Sequence, residues 1–490
     1  MNEIEVVQQF AEAGYQISPK AASIISGCNG YAKDIINRVI KSLDDSVLVV
    51  DVNHIESIQS QLEHTKKTEL SASFVDEVEV NILSDISEQS TCIGEYEEFV
   101  QYFRNRYSRL SEMIRARISA RPIESIYRKN RNMEYGEISI IGMVSEIKTT
   151  AKGHKLIELE DPTGRFPVLV LKKDNKLFEL SNHIVLDEVI GVTGSLTNKN
   201  DLLIANNIIW PDLPNPRRNE KNKDRSKNKG RAILISDLHV GSNTFLEDAW
   251  LRFIDWLNLK IGEEKQKALA KQVKYIVVAG DLVDGIGVYP NQEKELLIKN
   301  INKQYEKAAE YFSEIPKKIR VIIAPGNHDA VRQFEPQPKL GYEFTSMFSN
   351  NISFVGNPAL IEINGVHILI YHGKSMDDLI PSVPGMSYQN PSKVMIEMLR
   401  RRHLSPIYGG SNSIAPELSD HFIIDPIPDI LHCGHVHTVG IARYKGVLVI
   451  NSGAWQDQTE YQKHNNINPV PARASMVDLN TMNTSILKFM

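Results

Sequence analysis

The chain has 490 residues, 42% of them hydrophobic, and a formal net charge of −5 at pH 7. That length predicts two to four domains, and the mild acidity excludes bulk charge as a means of meeting nucleic acid, leaving only local patches. No apolar run reaches the roughly 18 residues of a membrane span; the acidic start Met1-Asn2-Glu3-Ile4-Glu5 lacks a signal pattern, and Cys28, Cys92 and Cys433 are too scattered for a disulfide framework, so a cytoplasmic protein without a membrane partner is expected.

Residues 1–50 predict a small helical module. Val6, Val7, Phe10 and Ala11 recur at helical spacing, as do Ala21, Ile24 and Ile25. Ser18-Pro19 is a helix-start signal, Gly27-Cys28-Asn29-Gly30 a break, and a further helix is expected through Ile36, Val39 and Leu43. A solvated appendage for protein contacts is the expected role. Residues 51–95 are polar and weakly patterned, which predicts a flexible linker.

A helix is expected from Tyr96 to about Ala120, with Phe99, Tyr102, Phe103, Tyr107 and Leu110 on one face. Short strands follow within residues 134–210. The turn Asp161-Pro162-Thr163-Gly164 separates two of them. Five such strands predict a small barrel resembling an OB fold, so residues 96–212 are read as a helix plus that barrel. Its strands carry few aromatics for stacking bases, which favours a packing role over direct nucleic-acid binding. Residues 213–230 form a basic linker with Arg217, Arg218, Lys221, Lys223, Arg225, Lys227 and Lys229. Such a run is commonly a solvated linker, but it can also draw in a phosphate backbone.

From Arg231 to the end at residue 490, apolar strands alternate with helices such as 247–258 and 292–313, an α/β layered domain. Five motifs follow strands here in order: Asp237-Leu238-His239, Gly280-Asp281-Leu282-Val283-Asp284, Gly326-Asn327-His328-Asp329, His372-Gly373 and Gly434-His435-Val436-His437. A lone histidine at a strand end is more often a packed or surface residue than a ligand. The ordered set supplies nitrogen and oxygen donors suited to paired Mn, Zn or Fe ions. Two ions about 3.5–4 Å apart stabilise the attacking and leaving oxygens of a phosphoester. Extended backbone would turn Asp237 and His239 to one side, and likewise His435 and His437. Cys433 has no second cysteine nearby and is read as a packed neighbour.

Residues 231–460 resemble the calcineurin-like metallophosphoesterase superfamily. The resemblance implies a β-sandwich flanked by helices and a dinuclear centre. It implies that Asp237, His239 and His437 hold one metal, that Asn327, His372 and His435 hold the other, and that Asp281 bridges them. His328 would face the scissile phosphate, and Asp284 would orient it. Gly285 after Asp284, and Asp329 after His328, depart from the protein Ser/Thr phosphatase pattern.

Ile235-Ser236-Asp237-Leu238-His239-Val240-Gly241-Ser242 and Leu431-His432-Cys433-Gly434-His435-Val436-His437-Thr438 resemble the small-subunit family of archaeal family D DNA polymerases, as does Asn451-Ser452-Gly453-Ala454-Trp455-Gln456. That resemblance covers about residues 100–490, and the N-terminus by position only. It implies a Mn-dependent 3′–5′ exonuclease for proofreading, acting on single-stranded or mismatched DNA ends in partnership with a large polymerase subunit. The alternative is a non-catalytic scaffold with a structural or vestigial metal site; a free-standing phosphodiesterase would have no evident use for the barrel. The barrel and phosphoesterase are expected to form one body with the N-terminal module tethered to it.

Overall fold

The computed structural model describes residues 3–13, 15–27, 36, 39, 49–51, 80–127, 136–197, 201–215, 229–464 and 466–490. Residues 28–30 of the expected break, Leu43 of the expected third helix, the linker over 52–79 and the basic run over 216–228 lie outside the described residues. The chain divides into two compact units, residues 1–77 and 78–490.

In the first unit, a helix spans Glu3–Glu12 and a second spans Pro19–Gly27. The Ser18 hydroxyl accepts from the Ala21 amide, 3.4 Å away, and Pro19 occupies the first helical position. Val6, Phe10, Ala21, Ala22, Ile25, Ile36, Val39 and Val50 form the core. The module is not purely helical, because β1 (Gln16–Ile17) pairs in parallel with β2 (Val49–Val50).

The second unit begins with β3 (Val80–Asp85) and the helix Tyr96–Arg115. Next come β4 (Ile138–Thr149), β5 (Lys155–Asp161), β6 (Gly164–Val170), β7 (Val189–Leu196) and β8 (Leu203–Ile209). These five close into a barrel in the order β4-β5-β6-β8-β7. Alternate residues, among them Ile138, Ile140, Ile157, Leu159, Phe166, Val168, Ile190 and Val192, fill its interior. The β5–β6 turn holds because Asp161 Oδ1 accepts from the amides of Thr163 and Gly164 at 2.7 and 3.0 Å.

The rest is two stacked sheets. The first contains β9 (Arg231–Ile235), β10 (Val273–Ala279), β11 (Arg320–Ala324) and β12 (Ile352–Phe354), all parallel. The second is built from β13 (Ala359–Ile363), β14 (Val366–Ile370), β15 (Ile430–Cys433), β16 (Val439–Tyr444) and β17 (Val447–Ser452). β18 (Arg473–Asp478) and β19 (Thr484–Lys488) return to complete the first sheet beside β9. The central strands are apolar on both faces because both faces are covered. Ala232, Leu234, Val277 and Ile322 meet Ile361, Ile368, Ile430 and Ile450 between the sheets. Ile233, Ile235, Ile276 and Val278 instead face Trp250, Phe253 and Phe312 of the helices Glu247–Leu257 and Ile301–Ser313. Cys433 is buried with Leu431 and Val449 against the helices Met376–Ser382 and Pro391–Arg401.

The helix Tyr96–Arg115, shorter than expected at its C-terminus, packs Leu110 and Ile114 on the barrel residues Ile141, Met143 and Val189. Its Tyr102 enters the core beneath the second sheet. Barrel and sandwich also share the buried Arg401–Glu188 ion pair at 2.6 Å.

The linker expected over 51–95 needs correction at its C-terminal end. β3 pairs antiparallel with β13 and forms the edge of the second sheet. The segment after it is pinned: Asp85 accepts from the Gly356 amide at 2.8 Å, and Glu417 accepts from the Ser90 hydroxyl at 2.6 Å and the Thr91 amide at 3.2 Å. Arg332 Nη2 reaches the same carboxylate at 2.7 Å. Ile82 and Leu83 stay exposed, so backbone pairing and side-chain bonds, not apolar alternation, hold the strand.

Burial works to raise the pKa of Glu417, but its bonds to Ser90 and Arg332 bring it down to about 2. A carboxylate with a lowered folded-state pKa stabilises above its unfolded value and loses that contribution as pH falls through the folded one. Docking of this segment should therefore be complete above about pH 4.5 and lost toward pH 2. Hydrogen exchange at the Thr91 amide, corrected for intrinsic rate, should accelerate across that window. Unchanged protection would refute the assignment.

Candidate metal centre

The motif residues converge where the two sheets meet, beyond the ends of β9, β10, β11, β14 and β15. The route differs from the extended backbone expected. Asp237, His239, Asp281, His435 and His437 all have positive φ, between 52° and 71°. Left-handed turns, not strand alternation, turn these side chains to one place. Such backbone is costly for residues with a Cβ and clusters where structure serves a site.

Two glycines are fixed by the crowding. A Cβ on Gly326 would come within 2.2 Å of Asp281 Oδ1, and one on Gly434 within 2.5 Å of Asp237 Oδ2. Either substitution would push a carboxylate out of position.

The donor atoms assigned to the ions form two neighbouring groups, and a third, overlapping one joins His239, Asp284 and His328. In the first, His239 Nε2 lies 3.1 Å from His437 Nε2, and Asp237 Oδ1 lies 3.5 Å from His437 Nε2 and 4.0 Å from His239 Nε2. In the second, His372 Nε2 lies 3.0 Å from Asn327 Oδ1 and 3.2 Å from Asp281 Oδ2. Asp281 Oδ2 is also 3.7 Å from His239 Nε2, so its carboxylate stands between the groups. Two donors each about 2.1 Å from one ion are about 3.0–3.4 Å apart at right or tetrahedral angles. Several of these separations meet that requirement. Asp237, Asp281 and Asp284 are all buried, a density of carboxylates that calls for cations.

The buried carboxylates draw positive charge into the cluster, here onto the histidines themselves. Burial opposes charge on His372, yet the adjacent Asp281 carboxylate lifts its pKa to about 10. Burial likewise opposes ionisation of Asp281, while His372 and His328 hold it well below the usual carboxylate range.

His328 stands beside these groups, its ring 4.7 Å from that of His239. Its amide donates to Asp281 Oδ1 at 2.9 Å. Its Nδ1 donates to the backbone carbonyl of Asp284 at 2.8 Å, which leaves Nε2 as the outward nitrogen. Asp284, expected to orient His328, meets it through that carbonyl, while its carboxylate lies 4.0 Å from His328 Nδ1 and bonds His239 Nδ1 at 3.0 Å. Spacing along the chain could not separate the two roles, because both contacts come from one residue.

His435 also sits apart from the simple expectation. Its Nε2 bonds Asp377 Oδ2 at 2.9 Å, and its ring packs 5.1 Å from that of His372. Several outer contacts carried no sequence signal. Gln462 Nε2 meets His437 Nδ1 at 2.8 Å, and Gln456 and Gln292 each donate to the Asp284 carboxylate at 3.2 Å. Asp329 accepts from the amides of Gly326 and Leu282 and from the Tyr305 hydroxyl, clamping one motif loop to the next.

Comparison with known proteins agrees with this architecture. Residues 138–208 match the OB-fold nucleic acid binding domain, and residues 232–439 match the family of the B subunits of DNA polymerases alpha and epsilon. The chain is 42% identical over 481 residues to the DNA polymerase II small subunit of Archaeoglobus fulgidus, covering 96% of this chain and 95% of that protein. To the corresponding protein of Methanothermobacter thermautotrophicus it is 45% identical over 405 residues, covering 82% and 81%. To that of Pyrococcus furiosus it is 38% identical over 387 residues, covering 79% and 62%. The first of these matches reaches into residues 1–77, farther than the motifs alone suggested. With a relative this similar along nearly its whole length, and an OB-fold barrel alongside a two-sheet sandwich, the chain belongs to the family of archaeal DNA polymerase II small subunits.

Proposed function

We propose that this chain is the 3′–5′ exonuclease component of a heterodimeric polymerase, removing mispaired nucleotides from DNA ends in partnership with a large catalytic subunit. The observation that carries the reading is the pair of adjoining donor groups at ion-binding separations with an imidazole nitrogen, His328 Nε2, that has no hydrogen-bond partner among the described residues, next to them. A vestigial site would have no need of that nitrogen.

In this reading Asp237, His239 and His437 would hold one divalent ion and Asn327, His372 and His435 the other, with Asp281 placed to serve both. When bound, such a pair supplies hydroxide near neutral pH and neutralises the phosphodiester. The donor set lacks thiolate, since Cys433 is packed in the core, and suits Mn, with Zn or Fe as alternatives. In its doubly protonated form, with Nδ1–H still held by the Asp284 carbonyl, His328 would donate from Nε2 to a phosphate oxygen or give that proton to the departing 3′ oxygen, returning to the neutral ring. Asp284 acts twice, its carbonyl holding His328 and its carboxylate holding His239.

The test is digestion of 3′-labelled single-stranded and mismatched primer-template DNA with Mn, comparing wild type with His328→Ala and Asp281→Ala. Stepwise shortening lost in both variants supports the reading. No cleavage by wild type, even in complex with a large polymerase subunit, would leave a scaffold. The basic run from Arg217 to Lys229 is proposed to attract the DNA backbone. Neutralising its seven arginines and lysines should weaken DNA binding and flatten its salt dependence; an unchanged salt slope would discard that role.

A further inference from the structure

We propose that Asp377 and Tyr388 form a positioning pair that selects which nitrogen His435 presents to the second ion. The inference rests on the two-ion reading above. Two of the four candidate histidine ligands share one habit: His239 and His372 donate through Nδ1 to the Asp284 carboxylate and the Ala279 carbonyl at 3.0 and 2.9 Å, whereas His437 Nδ1 accepts from the Gln462 amide at 2.8 Å. For His239 and His372 the inward Nε2 lies among carboxylate and amide oxygens, and His437 Nε2 faces His239. His435 reverses this arrangement.

Its Nε2 is 2.9 Å from Asp377 Oδ2. An ionised carboxylate only accepts, so Nε2 carries the hydrogen, and in the neutral ring the lone pair falls on Nδ1. The other carboxylate oxygen accepts from the Tyr388 hydroxyl at 3.0 Å. Both oxygens of Asp377 are thus engaged, and the carboxylate cannot swing without breaking a bond. Asp377 sits in the first turn of the helix Met376–Ser382, which starts shortly after His372-Gly373. The Tyr388 carbonyl accepts from the Thr438 hydroxyl, next to His437. The pair therefore ties the two histidine motifs together and fixes the tautomer of His435. Partners of this kind typically govern about 10–100-fold in metal affinity.

The experiment is calorimetric titration of the full-length chain with Mn alone, together with melting in EDTA. Wild type should bind two ions. Asp377→Ala should weaken one of them about 10–100-fold and leave the other, with the EDTA melting temperature unchanged. Asp377→Asn keeps an acceptor and should lose less; Tyr388→Phe should also lose less than Asp377→Ala. Two ions bound to Asp377→Ala with wild-type affinity would overturn the inference and leave the two-ion reading intact. Equal weakening of both ions, or a lowered melting temperature in EDTA, would overturn it in favour of general structural damage. Fewer than two ions on wild type would overturn both.

Discussion

Replacing His328 by alanine is expected to slow Mn-dependent removal of 3′ nucleotides by about 10²–10⁴-fold, the range for losing a positioned general acid, with metal content unchanged. In the two-ion assignment the side chain is not a ligand, although it lies close enough to His239 and Asp284 to join a donor group, and the backbone amide of an alanine at this position would keep its bond to Asp281. Asp281→Ala should differ in kind. It removes the acceptor that stands between His239 and His372, so metal content and rate should fall together, the rate by about 10³-fold or more, beyond the loss of a single oxyanion donor. Single-turnover rates beside metal analysis separate the two cases. If His328→Ala lost metal in proportion to rate, the division of labour would be wrong.

Asp284→Asn sharpens the same point. The backbone carbonyl that holds His328 survives the substitution, so the proton-transfer step should survive as well. What changes is the charge opposite His239 Nδ1. The expected defect is weaker metal binding, with the rate restored at high Mn. A rate defect that Mn cannot restore would return Asp284 to orienting His328 through its carboxylate.

The motif residues were legible because each follows a buried apolar strand, and strands such as Val277 to Ala279 announce themselves by composition. Proximity of the five motifs was legible too, because the paired-metal chemistry read from them would need them together. Their backbone was not: the i, i+2 spacing of Asp237 and His239 suggested an extended chain, whereas both are left-handed. Asp377 had no signal, since an acid at the start of a helix is ordinary. β3 read as linker because an edge strand with Ile82 and Leu83 exposed has no buried face to pattern. Nor can any spacing of residues tell the carbonyl of Asp284 from its carboxylate.

The second large effect concerns the joint between barrel and sandwich. Arg106→Ala is expected to destabilise the second unit by about 3–5 kcal/mol, the cost of leaving a buried charge without its partner. Arg106 and Asp420 are fully buried and 2.7 Å apart. The guanidinium also donates to the Pro406 carbonyl at 2.7 Å and the Tyr102 hydroxyl at 2.9 Å, so one side chain satisfies groups on the helix and on the sandwich. His403 Nε2 shares Asp420 at 2.8 Å. Burial, then the Arg106 charge, hold His403 down to about 4. Being below its unfolded value near 6.5, that histidine detracts from wild-type stability as pH falls from about 6.5 toward 4. Without Arg106 its pKa must rise, and an imidazolium can replace the guanidinium against Asp420. The cost of Arg106→Ala should therefore be greatest above about pH 6.5 and shrink toward pH 5. Replacing both partners, as Arg106→Met with Asp420→Leu, should cost less than the sum of the single changes, because no buried charge is then orphaned. Chemical denaturation at pH 7.5 and 5.5 checks the sign; a cost independent of pH would mean that His403 does not take over the charge.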